Sequence, residues 1–252
     1  METFVYFVGT AGSGKTHMTK AFSDYLDMKR INHIIVNLDP GVDELPYDPD
    51  VDVRDWFTLE GIMEKYRVGP NGAQIICADL VGTIANEIKD EIELFDANLV
   101  LVDTPGQMEL FTLRSSGEVV IDCFGKEKGV MVYLFDPIIS KNPSGFVSLV
   151  FMASSTVFRL NLPQIQVLAK SDVLNEEEID RILKWSTNPE ELYKDLITER
   201  TLSLDLFLML KDSGFFRPLI PVSSMTGYGM DDIYDGIQEL FYGGEDFESV
   251  FG

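Results

Sequence analysis

The sequence from Gly9 to Thr16, Gly-Thr-Ala-Gly-Ser-Gly-Lys-Thr, decides the fold of this chain. It matches the Walker A pattern, in which a glycine and any four residues are followed by Gly-Lys-Thr. An apolar run at residues 4–8 precedes it, and an amphipathic helical pattern follows it. Small residues let the backbone curl so that its N–H groups face a phosphate, and the helix amino terminus adds partial positive charge. The stretch therefore predicts a phosphate-binding loop between a strand and a helix. A chance glycine-rich turn is the alternative, but it does not account for the strand before it and the helix after it.

The residues of this loop have separate expected roles. Lys15 is predicted to reach the β- and γ-phosphates of a nucleoside triphosphate, and Thr16 to offer its hydroxyl to Mg²⁺. The residues expected to bind the nucleotide here are Gly12, Ser13, Gly14, Lys15, Thr16 and His17.

The composition is that of an ordinary globular protein with an excess of acidic groups. The chain has 252 residues, 45% of them hydrophobic, and a formal net charge of −22. Such a surface repels a phosphate backbone, so we expect no direct nucleic-acid partner and no membrane partner. Basic protein partners or metal ions suit it better, although solubility alone also explains the charge.

The amino-terminal segment and the longest apolar stretch bear on the location. The start, Met-Glu-Thr-Phe-Val, has no basic region, and its apolar run ends at Gly9, which is too short for a signal peptide. The longest apolar stretch, about residues 145–158, is interrupted by Ser and Thr and falls short of a membrane span. We therefore expect a cytoplasmic protein.

Short apolar runs alternate with amphipathic stretches along the chain. Buried strands are predicted at residues 3–8, 31–38, 98–102, 130–135, 164–168 and 219–222. Helices are predicted at residues 17–29, 53–67, 73–94, 111–124, 146–160, 176–186, 190–211 and 230–241. Strands separated by helices are joined by right-handed crossovers, so the expected fold is α/β, the three-layer fold of P-loop nucleotide hydrolases with a mostly parallel, helix-covered sheet.

The gap between the second and third predicted strands narrows the fold further. About sixty residues, with two helical patterns and no tight turn, leave little room for the antiparallel hairpin that these strands form in Ras-like GTPases. We therefore expect an all-parallel sheet in a single domain over residues 1–252. Helical insertions are expected at about 53–95 and about 175–213. The second is acidic and is expected to pack outside the core, as a solvated face or as a surface for partners.

The third predicted strand ends in Asp103-Thr-Pro-Gly106-Gln107. An aspartate at the carboxyl end of such a strand is expected to hold Mg²⁺, directly or through water, and the Gly106 N–H to sense a γ-phosphate. Gln107 is a candidate for orienting the attacking water, and Glu109 is a second candidate. A solvated side chain is the alternative interpretation of Gln107.

The residues that follow the last two predicted strands are expected to bind the base of the nucleotide. Ala169-Lys170-Ser171-Asp172 differs from the GTPase pattern Asn-Lys-x-Asp only in its first residue. Asp172 is predicted to accept hydrogen bonds from guanine N–H groups, and Lys170 to lie along the base. Ser223, in Val-Ser-Ser-Met, is predicted to present its backbone N–H to guanine O6. GTP is favoured over ATP, but Ala169 leaves open an ATP-dependent kinase or assembly ATPase, as well as a solvated turn.

Two more motifs indicate a family. Gly69-Pro70-Asn71-Gly72 separates two helical patterns and, alone, is an ordinary turn. Asn37-Leu38-Asp39-Pro40 follows the second predicted strand. Together with the Walker A lysine and the Asp103 motif, these stretches resemble the GPN-loop GTPases, and the resemblance runs from Gly9 to Ser223.

The resemblance implies a dimer in which each Gly69-Pro70-Asn71 loop reaches the partner's nucleotide site. It favours a homodimeric switch or assembly factor that hydrolyses GTP, with Asn71 acting in trans. The catalytic residues would be Lys15, Asp39, Asn71 and Gln107, and the metal would be held by Thr16, Asp39 and Asp103. Asp39 contacts the metal shell or the attacking water in this interpretation, and alternatively is a cap before Pro40.

The resemblance also suggests a partner, without naming it for this chain. Eukaryotic members are tied to RNA polymerase assembly and often carry C-terminal extensions. This chain ends about ten residues after its last predicted helix, so we expect a compact member with an unknown client. The remaining alternative is a nucleotide-gated interaction module with slow hydrolysis.

Overall fold

A seven-stranded parallel sheet forms the centre of the protein, in the order β3-β2-β4-β1-β5-β6-β7. The computed structural model describes residues 2–199 and 204–243. The strands are β1 (Thr3–Gly9), β2 (His33–Asn37), β3 (Val51–Asp52), β4 (Leu99–Asp103), β5 (Gly129–Phe135), β6 (Gln164–Leu168) and β7 (Ile220–Pro221). The predicted α/β fold with an all-parallel sheet is confirmed.

Helices connect the strands and cover both faces of the sheet. They are α1 (Lys15–Lys29), α2 (Leu59–Tyr66), α3 (Pro70–Thr83), α4 (Ala85–Ile92), α5 (Met108–Thr112), α6 (Ser115–Phe124), α7 (Pro137–Ser140), α8 (Pro143–Leu160), α9 (Glu176–Thr187), α10 (Pro189–Glu199), α11 (Leu204–Asp212) and α12 (Met230–Tyr242). Short 3₁₀ turns lie at Val53–Asp55, Lys126–Lys128 and Ser171–Val173.

The central strand β1 explains why the sheet needs helices on both faces. Its side chains alternate, so that Phe4 and Tyr6 belong to one apolar cluster while Val5 and Phe7 belong to the cluster on the other face. All four are buried. A strand buried on both sides reads as a continuous apolar run, which is why it is recognisable in the sequence.

Strand β3 is not predicted from the sequence, because two residues are too few to show the apolar alternation of a strand. Val51 and Asp52 pair with Val36 and Asn37 of β2 and extend the sheet at that edge. The predicted helix at 53–67 therefore begins later, at Leu59. Thr58 caps it by accepting a hydrogen bond from the Gly61 N–H at 3.1 Å.

Other predicted helices are interrupted. The predicted helix at 73–94 begins earlier, at Pro70, and breaks at Ile84, whose backbone is not helical. The 111–124 prediction divides into α5 and α6. Within the 190–211 prediction the structure describes α10 and α11, and residues 200–203 lie outside the described residues. The break at Ile84 and the one at Arg114, between α5 and α6, come from local backbone angles that periodicity does not reveal.

Helices α9 to α11 correct one expectation. Ile182 and Trp185 of α9, Leu192 of α10 and Phe207 of α11 are buried in the largest apolar cluster of the domain. The acidic segment at about 175–213 therefore adds to the core instead of packing outside it. Its acidic residues take the solvent side of amphipathic helices.

Helix α8 corrects a second expectation. Its 18 residues are, by length and composition alone, enough to cross a membrane, unlike the shorter run seen in the sequence. However, 44% of the helix is buried inside the fold, where Phe146, Leu149 and Val150 join the main cluster. This packing is typical of the core helix of a globular domain.

Candidate nucleotide-binding site

The Gly9–Thr16 loop leaves β1 and enters α1 at the carboxyl edge of the sheet. Gly14 caps α1 with a φ of 100°, a conformation that favours glycine. A side chain at Gly9 would meet the Ser13 hydroxyl at 2.7 Å and the Leu134 carbonyl at 2.9 Å. The loop therefore needs glycine at both positions, and it places its backbone at a helix amino terminus, where an anion is favoured.

Lys15 lies almost completely buried beneath this loop, with 5% of its surface exposed. Its Nζ donates to the carbonyl oxygens of Gly9, at 3.0 Å, and of Gly106, at 2.8 Å. Burial lowers the pKa of Lys15, and the carboxylates of Asp103, Asp39 and Glu109 oppose that shift. The Lys15 amine is thus a buried donor, and phosphate oxygens could replace its two carbonyl partners.

Asp103 is completely buried at the end of β4, where it is the register partner of Phe7 in β1 and Asn37 in β2. One carboxylate oxygen, Oδ2, accepts the Tyr47 hydroxyl at 2.6 Å. Burial raises the pKa of Asp103 to about 6, while hydrogen bonds from Tyr47 and Thr16 lower it. The other oxygen, Oδ1, is buried and has no partner among the described residues.

These residues fit a magnesium ion. Mg²⁺ takes few protein ligands and otherwise keeps waters and phosphate oxygens. The unpartnered Asp103 Oδ1 and the Thr16 hydroxyl are hard oxygen ligands beside the phosphate loop. Within the described part of the chain, no cluster of three or more His, Cys, Asp or Glu side chains could hold a metal ion.

Asp39 is brought to the same place by the loop that follows β2. Its carboxylate oxygen Oδ2 accepts the Gly106 N–H at 2.7 Å, and Oδ1 accepts the Gly41 N–H at 2.9 Å. The Gly106 peptide is therefore held on both sides, by Asp39 at its N–H and by Lys15 at its carbonyl. The Gly106 N–H, which is predicted to sense a γ-phosphate, already donates to the Asp39 carboxylate in this structure.

Gln107 and Glu109 lie just beyond, and both are exposed. Gln107 lines a small pocket of about 180 Å³ that also includes Asp39 and Gly106, together with Gln74 and Cys77 of α3. Of the two, Glu109 is near enough to Lys15 to affect its pKa. Gln107 thus lies in a pocket that shares Asp39 and Gly106 with the phosphate end of the site.

The base end of the site is built from β6 and from the loop after β7. Lys170 has a φ of 50°, and its Nζ donates to the Gly12 carbonyl at 2.5 Å. Its Cε lies 3.2 Å from the position of a Cβ on Gly14, so its stem lies across the phosphate loop. The Ser223 hydroxyl donates to Asp172 Oδ1 at 2.5 Å.

Ser223 takes a different role from the predicted one. Its backbone N–H donates to the Tyr228 carbonyl at 3.0 Å, so it is engaged within the loop. Ser224 and Met225 line the cleft instead. The side chain of Ser223 donates to Asp172, so Ser223 contacts the base end of the site through its hydroxyl and not through its N–H.

One cleft of about 590 Å³ joins the phosphate end to the base end. It brings together most of the predicted site residues: Gly12, Gly14, Lys15, Thr16, His17, Asp39, Gly106, Lys170 and Asp172. Ser13 and Asp103 are buried behind its wall. The cleft has the size of a ligand site, with a lysine and an aspartate at each end.

Comparison with known proteins follows the same motifs. A family model described as a conserved hypothetical ATP binding protein matches residues 7–243. The GPN-loop GTPase PAB0955 of Pyrococcus abyssi is 40% identical over 183 residues, which are 72% of this chain and 72% of that protein. Its apo crystal structure superimposes with a TM-score of 0.82 at 34% identity, covering 95% of this chain and 98% of that one.

The chain belongs to the GPN-loop GTPase family. GPN-loop GTPase 1 of Dictyostelium discoideum is 28% identical over 92% of this chain, which spans 60% of that protein's length. The family model's description names ATP, whereas these relatives are named GTPases. In this GPN-loop GTPase, the residues predicted to select the base are Lys170 and Asp172.

The loop that names the family is exposed. Gly69 caps α3, Pro70 is its first residue, and Asn71 lies inside its first turn, so the segment is shorter as a loop than the sequence predicts. Proline suits this position because its missing N–H needs no partner there. Among the described residues, no side-chain hydrogen bond of Asn71 is found. Gln74, one turn along α3, lines the small pocket beside Asp39.

Some residues of the site in this GPN-loop GTPase have no signal in the sequence. Tyr47 reaches Asp103 from an irregular, acidic loop. Thr104 donates to the Phe7 carbonyl at 2.6 Å and ties the start of the Gly106 loop to β1. Asn37 belongs to a motif that is visible in the sequence, but its contacts depend on β3. An irregular loop has no period, so only the folded structure identifies these residues.

Proposed function

We propose that this chain binds Mg²⁺-GTP in the 590 Å³ cleft and hydrolyses it. The observation that carries the proposal is the pairing of two ends in one cleft. Lys15 and Thr16 line the phosphate side of the cleft, with Asp103 buried close to Lys15. Lys170 and Asp172 line the base side. Lys15 and the helix amino terminus suit the phosphates of a nucleotide, and the Asp172 carboxylate suits the N–H donors of its base.

The base end favours guanine. The Ser223 hydroxyl takes one position on Asp172 Oδ1 and leaves the carboxylate able to accept more hydrogen bonds. Guanine supplies two adjacent N–H donors, and adenine does not present that pair. A carboxylate that is left without donors costs binding free energy, so ATP is disfavoured.

The chemical roles follow from the contacts. Lys15 exchanges the Gly9 and Gly106 carbonyls for phosphate oxygens, and this exchange stabilises the charge that develops on the transferred group. Asp39, released from the Gly106 N–H, becomes free to accept a hydrogen bond from a water, which Gln107 helps to orient. When bound by Thr16 and Asp103, with Asp39 nearby, Mg²⁺ supplies further positive charge to the phosphates.

A second copy of the chain is proposed to complete the site. Asn71 is exposed and unpaired among the described residues, yet it lies one turn from Gln74 and the 180 Å³ pocket beside Asp39. An amide donor from a partner's Gly69–Asn71 segment would add stabilisation without an arginine finger. On this proposal the protein is a homodimeric switch or assembly factor with an unidentified client.

One observation favours a nucleotide-gated interaction module as a second candidate function. The Gly106 peptide is held by both Asp39 and Lys15, so a γ-phosphate must replace both contacts to reach it. The loop that begins at Asp103 would therefore differ between nucleotide states. Affinity capture in GDP and in a non-hydrolysable GTP analogue distinguishes a switch, which gains or loses a protein between states, from a simple hydrolase.

Phosphate release by the purified protein tests the main proposal. With Mg²⁺ we expect release from GTP, abolition by EDTA, and little inhibition by a tenfold excess of ATP. Equal use of ATP would replace the guanine assignment with the ATPase alternative. No release from either nucleotide would remove the enzymatic role.

A further inference from the structure

Asn37 and Asp52 lie side by side at the carboxyl ends of β2 and β3, where they are register partners. The Asn37 Nδ2 donates to Asp52 Oδ1 at 3.0 Å and to the Asp39 carbonyl at 3.2 Å. Its Oδ1 accepts the Asp39 N–H at 3.0 Å. Because Asn37 is completely buried, one rigid side chain fixes both peptide groups of Asp39 to the sheet.

Arg54 holds the same carboxylate from the other side. Its Nε and Nη2 contact both Asp52 oxygens at 2.6–3.0 Å. Its Nη1 donates to the carbonyl oxygens of Val42, at 3.1 Å, and Asp43, at 3.4 Å. Burial raises the pKa of Asp52, but the hydrogen bonds from Arg54 and Asn37 bring it below its usual value, so the group is a carboxylate.

The carbonyls that Arg54 contacts belong to the loop between β2 and β3. Val42 of that loop lines the nucleotide cleft. At its start, the Asp39 carboxylate accepts the Gly106 N–H. A continuous set of hydrogen bonds thus runs from Arg54 through Asp52 and Asn37 to Asp39.

We propose that Arg54 is a positioning residue for GTP hydrolysis, which fixes the backbone that carries the Asp39 carboxylate at the phosphate end of the cleft, through Asp52 and Asn37. The inference rests on the proposed GTP hydrolysis. Arginine suits the role because its planar fork holds a carboxylate with two parallel bonds while other N–H groups reach the loop. A lysine offers one compact charge and cannot make both sets of contacts.

Steady-state kinetics of Arg54→Ala give the first test. We expect kcat to fall about 10- to 100-fold, as for other groups that orient a reacting side chain, with KM changed less than about threefold. Arg54→Lys should recover only part of the loss. The matched control is Arg217→Ala, since Arg217 also donates to a backbone carbonyl, that of Gln164 at 3.1 Å, but at the opposite edge of the sheet. The control should keep wild-type kcat.

A double-mutant cycle separates positioning from general destabilisation. In an Asp39→Asn background, Arg54→Ala should have almost no further effect on kcat, because the group that it positions is already altered. An undiminished fall of kcat in that background would overturn the proposal. So would an effect on KM alone.

Hydrogen exchange gives a readout that does not need hydrolysis. In Arg54→Ala, amide hydrogens of residues 39–43 and of Gly106 should exchange faster, while β1 and β4 stay protected, and Arg217→Ala should match the wild type. Unchanged exchange at residues 39–43 would overturn the positioning role. If the wild type released no phosphate but Arg54→Ala still loosened this segment, the proposed function would fail while the positioning contact stood.

Discussion

The Gly9–Thr16 loop and the Gly69–Asn71 segment each end in the first turn of a helix, yet their surroundings differ. In the first, Ser13 and Lys15 are buried, and Lys15 binds carbonyls of two different loops. In the second, Gly69, Pro70 and Asn71 are all exposed. One helix amino terminus is enclosed by its own chain, and the other faces solvent.

This difference in burial decides where a ligand can be inferred from the structure of one chain alone. Around the first loop, the hydroxyls of Thr10 and Ser13 and the Oδ1 of Asp103 are buried without a partner among the described residues. Each such group costs about 1–3 kcal/mol unless something bonds to it, which points to a ligand. An exposed amide such as Asn71 is satisfied by water, so its role depends on a second molecule.

The largest expected effect concerns the enclosed region. Lys15→Ala should lower GTP turnover about 10²- to 10³-fold and weaken GDP binding, because a buried donor to the phosphates is lost. Lys20→Ala is the control, since Lys20 lies on the same helix but pairs with Asp24 at the surface. Fluorescence titration and phosphate release measure both. Equal behaviour of the two variants would remove the distinction between the regions.

The exposed region should respond differently. Asn71→Ala is expected to lower turnover about 10²-fold with little change in GDP affinity, since its donor acts in the transition state. Mixing it with Lys15→Ala should restore about a quarter of wild-type activity, because half of the dimers would then contain one intact site.

The control mixture combines Lys15→Ala with Asp103→Ala. Both changes damage the site of the chain that carries them, so no mixed dimer has an intact site and nothing should be restored. Recovery in this mixture, or none with Asn71→Ala, would contradict action in trans.

The free energy of unfolding should depend on pH, because Asp103 is a buried carboxylate in the enclosed region. The pKa of Asp103 is raised from 3.8 to about 6, so the folded chain binds a proton that the unfolded chain releases between these values. The charged form costs about 3 kcal/mol of stability above pH 6, and the cost disappears as the pH falls towards 4. Asp103→Asn should therefore stabilise the metal-free, nucleotide-free protein at pH 8, but not at pH 4.5.

Urea unfolding in EDTA at the two pH values measures this effect. Asn71→Ala should leave the free energy of unfolding within about 0.5 kcal/mol of the wild type at both, as expected for an exposed residue. A gain from Asp103→Asn of equal size at pH 4.5 and pH 8 would show that the carboxylate charge is not its cause.

The smallest expected effect concerns the base end of the cleft that the Gly9–Thr16 loop also lines. Asp172→Asn should weaken GDP about 10- to 30-fold, since an amide cannot accept from both guanine donors without presenting a donor of its own. The same variant should gain affinity for XDP, whose 2-carbonyl accepts from the new amide. Competition between GDP and XDP measures the change. An unaltered ratio would contradict the role of Asp172 in binding guanine.

Much of the fold could be predicted because its signals are local. The buried strands read as apolar runs, and the Walker A pattern contains its own strand and helix, so the sheet direction and the cleft followed from neighbouring residues. Asp103, Lys170 and Asp172 were recognisable as polar residues at strand ends, where open α/β sheets place their ligands. The structure brings all three to one edge.

The rest depends on contacts between distant residues. The two-residue β3 has no pattern of its own, yet it supplies Asp52 and the anchor for Arg54. Tyr47 meets Asp103 across 56 positions of sequence. The N–H of Ser223 was expected to face the base, but a tight loop returns Tyr228 to it. The cytoplasmic location and the expected absence of nucleic-acid and membrane partners stay predictions.

Calorimetric titration with GMP, GDP and GTP in Mg²⁺ tests the central claim most directly, since these ligands differ only in phosphate length. If the Gly9–Thr16 loop encloses a polyphosphate, GDP and GTP should bind at least about 10²-fold more tightly than GMP. GMP binding as tightly as GDP, or no heat with any of the three, would contradict the account.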